Sequence, residues 1–203
     1  MNSKLISAVF VCILLSIQTL FAQEEPKIKF GAISMEDAQM KTYSLDSTAE
    51  AVVLYKRGDV RFQFDKYGHN DFQIVSNYHI RIKILKKSAF SRATITIPYY
   101  RIATGQEEFV DGIDGATYNV ENGQLVKTKL SKESIFDEKP MDKLFQKKIT
   151  FPAVKEGSII EYRYEITSSM KVRDKPRTWY FQGDIPYKWS ELNLSIPAYF
   201  YYK

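Results

Sequence analysis

The sequence predicts an all-β domain, a two-sheet antiparallel β-sandwich with a short helix ahead of it. Three observations carry this expectation. Fourteen Tyr and 13 Phe stand beside only 9 Gly and 7 Pro in 203 residues, and aromatic side chains pack well on a pleated surface. Several segments alternate apolar and polar residues with a period of two. Turn-forming residues separate those segments at short intervals, as in two packed antiparallel sheets.

The first 22 residues stand apart. Lys4 precedes an uncharged run from Leu5 to Ala22, followed at once by Gln23, Glu24, Glu25 and Pro26. This is the pattern of a secretory signal peptide cleaved between Ala22 and Gln23. The run is also near the minimum length of a membrane span, but it ends on a small residue and lacks basic charge on its far side, which favours cleavage. Export to the periplasm or cell surface follows as an expectation. Cys12 lies inside the run behind Phe10 and Val11, where a lipoprotein signal would have small residues, so residues 23–203 contain no thiol.

That count limits the chemistry. One Cys and 2 His cannot assemble a four-ligand Cys/His zinc site or an internal disulfide. Removing Lys4 from the 29 basic residues leaves 28 against 24 acidic ones, a mild balance without a basic stripe for nucleic acid. No cofactor is expected.

Residues 23–48 read as an N-terminal extension, in which Ser34-Met35-Glu36-Asp37 has the form of a capping box opening a short helix through Met40. The sandwich domain is expected over 49–203. Ala51–Tyr55 and Val60–Phe64 read as two short strands around a turn at Lys56-Arg57-Gly58-Asp59. Asp71–Leu85 is the clearest strand: Phe72, Ile74, Tyr78, Ile80, Ile82 and Ile84 share one face, and Gln73, Asn77, His79, Arg81 and Lys83 share a face expected to be wet. His79 on that face and His69 in a turn do not make a metal pair.

Residues 93–100 form the next strand. The stretch after it, with Glu107, Glu108, Asp111 and Asp114 near Gly112 and Gly115, reads as an acidic loop without the spacing of a calcium loop. Ala116–Leu130 is a hairpin turning at Asn122-Gly123, the strongest short hairpin signal. Residues 131–143 read as an irregular connection or one helical turn, and 144–151, 157–167, 178–182 and 187–202 complete the strand set. Glu161 and Glu165 fall on a solvated face as charge balance for Arg163. In the last segment Tyr187 and Trp189 are odd while Leu192, Leu194 and Ile196 are even, so a β-bulge is expected near Ser190 or Glu191.

No nucleophile elbow, His-Glu-x-x-His or phosphate-binding glycine loop occurs. The residues with the character of a ligand or interdomain surface are Trp179, Tyr180 and Trp189 with Arg173 and Arg177 from the basic loop 171–177. Tyr199 and Tyr201 are further aromatics with an exposed look.

Five stretches then carry a resemblance: Ala49–Tyr55, His79–Leu85, Tyr118-Asn119 with Glu121-Asn122-Gly123, Phe151–Tyr162, and Trp179–Gln182 with Ile185-Pro186. From about Ala49 onward the chain resembles the domain of unknown function that precedes a transglutaminase-like domain in exported bacterial proteins, chiefly of the Bacteroidota. The resemblance implies a non-catalytic accessory module that packs against, or presents substrate to, a downstream domain whose Cys, His and Asp do the chemistry. None of those catalytic residues can be placed on this chain. The sequence stops in an aromatic stretch, so it reads as an N-terminal fragment. The alternative function is an autonomous module binding cell-envelope glycan or protein.

Overall fold

The computed structural model describes residues 28–65, 71–198 and 200. The expected signal segment, 1–22, and the turn around His69 lie outside them, as do Tyr199 and Tyr201. Among the described residues no helix is long and apolar enough to cross a membrane. Helix α1 (Met35–Gln39) begins as the capping box requires: Ser34 Oγ accepts from the Asp37 amide at 3.1 Å.

The rest is β1 (Ala51–Asp65), β2 (Asp71–Ile84), a 3-10 turn (Lys87–Ala93), β3 (Thr94–Ala103), β4 (Gln106–Glu121), β5 (Gln124–Lys129), β6 (Ile135–Met141), β7 (Leu144–Thr150), β8 (Ile159–Ser169) and β9 (Ser190–Ser195). The fold is therefore mostly β with little helix. The strands form one mixed nine-stranded sheet in the order β6-β7-β3-β4-β8-β2-β1-β9, with β5 added to β4. Two separate sheets are not shown. The β3–β4 hairpin, through Arg101↔Glu107 and Ala103↔Gln106, joins the β6-β7-β3 strands to the others.

The main core still lies where alternation places it. Ile80, Ile82 and Ile84 of β2 and Ile160, Tyr162 and Ile166 of β8 pack with Ile97 and Tyr99 of β3 and Ile149 of β7. On the other face Val52, Leu54, Ala116 and Ile159 pack with Ala38 and Tyr43 of the extension and with Ala49 just after it. A face predicted to be wet is thus covered at one end. Arg81 and Lys83 are buried there, as is Glu161, and each must find polar partners inside the protein.

Other local expectations change for identifiable reasons. Arg57-Gly58-Asp59 is not a turn, because β1 runs straight through it with Gly58 opposite Tyr78. A Cβ on Gly58 would lie 2.7 Å from Trp179 Cζ3, so the glycine admits an indole against the backbone. The acidic stretch is part of β4, with its irregularity between Asp111 and Asp114. Residues 135–141, expected to be irregular, form an edge strand, whereas 178–182 are not a strand. The hairpin at Asn122-Gly123 is found as expected, with φ of 50° and 78°.

The ladder of β9 on β1 is parallel and runs from Lys56↔Ser190 to Arg61↔Ser195 without a shift, so no bulge occurs near Ser190 or Glu191. The irregularity lies in β1, between Val53 and Tyr55, against β2. The bridge Val53↔Tyr187 keeps the same offset, so β9 changes phase together with its partner and needs no extra residue.

Gly115 is a second close approach. A Cβ there would meet Phe151 Cε1 at 2.8 Å and the Glu161 carbonyl oxygen at 2.9 Å. Because backbone cannot step aside, Gly115→Ala should cost about 1 to 3 kcal/mol in urea unfolding. An unchanged midpoint would show that the strands slide apart freely.

Candidate functional site

The five surface candidates do not form one site. Arg173 and Arg177, on the loop after β8, converge on the buried carboxylate of Glu108 in β4. Oε1 accepts from Arg173 Nε at 3.2 Å and Ser168 Oγ at 2.7 Å, and Oε2 accepts from Arg177 Nη2 at 2.7 Å and the Tyr100 amide at 3.0 Å. Burial pushes the Glu108 carboxyl up, but the Arg177 charge and these hydrogen bonds outweigh it and hold it below the usual value.

Trp179 stacks on Tyr78 with centroids 6.2 Å apart, and Tyr78 stacks on Tyr164 at 4.8 Å. The indole donates to Ser190 Oγ at 3.1 Å, and Lys56 Nζ lies 4.2 Å over the ring. Arg173, Arg177 and Trp179 therefore fasten the loop to the sheet. Tyr180 is 67% exposed, with Phe181 beside it at 56%. Trp189 donates to Glu191 Oε2 at 3.1 Å. Ser190 and Glu191 point to opposite faces of β9, so Trp189 is separated from Trp179 by the strand.

The denser constellation lies on the face that strand alternation predicts to be solvated. Glu161 of β8 is fully buried. Its Oε1 accepts from Arg81 Nη2 at 2.6 Å, Arg81 Nε at 3.1 Å and His79 Nε2 at 2.8 Å. Its Oε2 accepts from the Gly31 amide at 2.8 Å and the Tyr118 hydroxyl at 3.3 Å. Burial raises its pKa, yet the hydrogen bonds from His79 and Arg81 and the Arg81 charge bring it below the ordinary value. Burial and the neighbouring Glu161 charge push the Tyr118 hydroxyl up to about 12. Arg163, the expected partner of Glu161, instead donates to Asp114 at 2.9 Å.

Strand pairing explains the grouping. Arg81 is directly opposite Glu161, and His79 opposite Arg163 two pairs along, on the same face. The extension closes the cluster from above: Lys29 O accepts from Arg81 Nη2 at 3.2 Å, and the Phe30 ring lies 5.4 Å from the His79 ring. The available signal was the apolar content of the extension, Phe30, Ile33, Ala38 and Met40, which needs a surface to cover.

Lys83 is the fourth buried charge, after Glu108, Glu161 and Arg81. Its ammonium donates to Ala38 O and Gly157 O, both at 2.6 Å, and burial pushes its pKa down to about 8 despite the opposing pull of Asp37. Below pH 8 the group is charged in both folded and unfolded chains. Between about 8 and 10.5 only the unfolded chain holds the extra proton, so this lysine makes stability rise with pH there. Subtracting the pH profile of Lys83→Met in thermal melts should isolate that rise. Parallel profiles would refute the assignment.

A cavity of about 510 Å³ opens beside the Glu161 cluster, lined among others by Phe30, His79, Asp111 and Arg163. Among the described residues no group of three or more His, Cys, Asp or Glu is placed to hold a metal ion. What the Glu161 cluster can do chemically is bind and orient. Its carboxylate already accepts five hydrogen bonds and is neutralised by Arg81, which leaves it a poor base.

Residues 70–203 match the family model described as "Domain of Unknown Function with solved-structure structure (DUF3857)". Among solved structures, a "putative protease" from Parabacteroides distasonis is similar in part, with 15% identity and a TM-score of 0.44, covering 64% of this chain and 24% of that one. The chain thus spans about a quarter of the length of that protein. No curated protein matches the sequence.

Proposed function

The chain belongs to the DUF3857 family, and from that premise we propose that it is a non-catalytic accessory module of an exported protein. In this reading it packs against, or presents substrate to, a transglutaminase-like domain in the longer polypeptide. The observation that carries the reading is the state of the two buried carboxylates. Glu108 and Glu161 are each saturated by donors from within the domain, with arginine on both, so their charge is used for cohesion. The sequence supports it too, since residues 23–203 have no thiol nucleophile.

The purified chain should show no turnover on peptide or amide substrate libraries. Turnover abolished by His79→Ala or Glu161→Gln, in a variant that still folds, would overturn the proposal. The coding frame beyond Lys203 tests the partner: Cys, His and Asp at transglutaminase-like spacing are expected, and their absence from a long open frame would remove the partner from the reading. Export is part of the same proposal. N-terminal sequencing of the protein from its host should begin at Gln23, and an intact Met1 would restore the anchor reading.

A further inference from the structure

We propose that the floor formed by Glu161, Arg81 and His79 is a binding site for a reverse turn of the form x-aromatic-Gly-x on another polypeptide, and that residues 29–32 of this chain occupy it as a removable stand-in. The Ala32 amide closes the turn by donating to Lys29 O at 3.1 Å, and Gly31 holds a φ of 86° in its third position. A type II turn requires a positive φ there, which glycine adopts at no steric cost. A Cβ on Gly31 would come no nearer than 3.7 Å to Tyr118 Oη, so conformation and not space selects the glycine.

Each residue of the turn meets a different group of the floor. Lys29 O accepts from Arg81 Nη2 at 3.2 Å, and the Gly31 amide donates to Glu161 Oε2 at 2.8 Å. Between them the Phe30 ring lies 5.4 Å from the His79 ring, with Arg163 4.4 Å over it. The floor thus reads one carbonyl, one aromatic ring and one glycine N–H. Arg81 and Glu161, 3% and 0% exposed, stand opposite each other on β2 and β8, so the site belongs to the sheet and not to the turn.

The turn has few other ties. Among the described residues no backbone–backbone hydrogen bond joins 28–33 to a strand. Helix α1 behind it is held separately, by Lys83 on Ala38 O and Lys188 on Asp37, so the tip can swing away while α1 stays in place. Both hydrogen bonds from the tip to the floor come from backbone groups, which an incoming turn replaces one for one, and no buried charge is stranded. Phe30 also lines the cavity of about 510 Å³, within the usual range for ligand sites, which leaves room for the residues flanking a foreign turn. This inference stands apart from the accessory-module reading, because it requires no following domain.

The test is titration of the purified chain with acetyl-Ile-Lys-Phe-Gly-Ala-Ile-amide, residues 28–33 as a free peptide, followed by the NMR signals of His79. A saturable shift is expected. Gly31→Val, whose side chain disfavours a positive φ, should open the tip and let the peptide bind about tenfold more tightly, since no tethered copy then competes. The same peptide with N-methylglycine in place of glycine lacks the donor to Glu161 and should bind about tenfold more weakly, the scale of one charge-assisted hydrogen bond. That change lies in the peptide, so the wild-type chain decides it even where Gly31→Val does not fold. No saturable shift on either chain up to about 10 mM, beyond the reach of a millimolar site, would overturn the proposal. So would equal affinity of the two folded chains for the peptide, or equal affinity of one chain for the two peptides.

Discussion

Glu161→Gln should lower the unfolding free energy by about 3 to 5 kcal/mol, the cost of leaving one member of a buried ion pair without its counter-charge. The amide keeps the shape of the side chain, so the loss reports charge and not volume. Arg81 is as buried as Glu161, with side chains 3% and 0% exposed, and its other hydrogen bond goes to the backbone carbonyl of Lys29. The double variant Glu161→Leu with Arg81→Met should recover most of the loss, since a matched apolar pair removes the stranded cation. A double variant as unstable as the single one would show that the hydrogen bonds to Gly31 and Tyr118 matter more than the ion pair.

The same residue sets an acid limb. Its folded pKa lies below the ordinary carboxyl value, so its contribution is complete above that ordinary value and is lost as pH falls through the depressed one. The wild-type protein should therefore lose stability on acidification more steeply than Glu161→Gln. Urea midpoints measured across the acid range decide this, and equal slopes would refute it.

Glu108→Gln should release the loop that follows β8. The carboxylate joins Arg173 and Arg177 to Ser168 and the Tyr100 amide, and Arg177 also donates to Pro98 O at 2.9 Å. Without the charge, two guanidinium groups converge on a neutral amide. Both are partly exposed, at 28% and 19%, and can turn toward water, so the expected cost is about 2 to 4 kcal/mol. The sharper readout is local. Lys171, Arg173 and Arg177 are trypsin sites, and cleavage among them should accelerate well before global unfolding. Trp179, resting on Tyr78 beyond this clamp, should show the change in its fluorescence. Cleavage at the wild-type rate would mean that aromatic stacking alone holds the loop.

Much of the strand set was legible. The alternation of β2 and β8 placed Ile80, Ile82, Ile84, Ile160 and Ile166 on the core face, and Ser34 and Asn122-Gly123 marked a helix start and a hairpin by local chemistry. What was not legible depended on distant segments. Arg57-Gly58-Asp59 has the composition of a turn, and only Trp179, more than a hundred residues later, explains a glycine in mid-strand. The change of phase in the last segment was a true signal given to the wrong strand, because a parallel partner copies the irregularity of β1. The Glu161 cluster was hidden because a polar alternating face looks the same in sequence whether water or another segment covers it. Pairing Arg81 with Glu161 requires β2 and β8 in register, and that knowledge is tertiary.

The place of β1 bears on how this domain should be cut. The family match begins at residue 70, yet β1, at 51–65, lies between β2 and β9. The extension ahead of it supplies Gly31 and Ala38 to two of the buried charges. A piece trimmed to the matched span would carry β2 with a bare hydrogen-bonding edge, β9 with no neighbour, and Arg81, Lys83 and Glu161 opened to solvent. What relatives share in sequence is thus shorter than what must fold together, and expression boundaries for such domains belong ahead of Lys29.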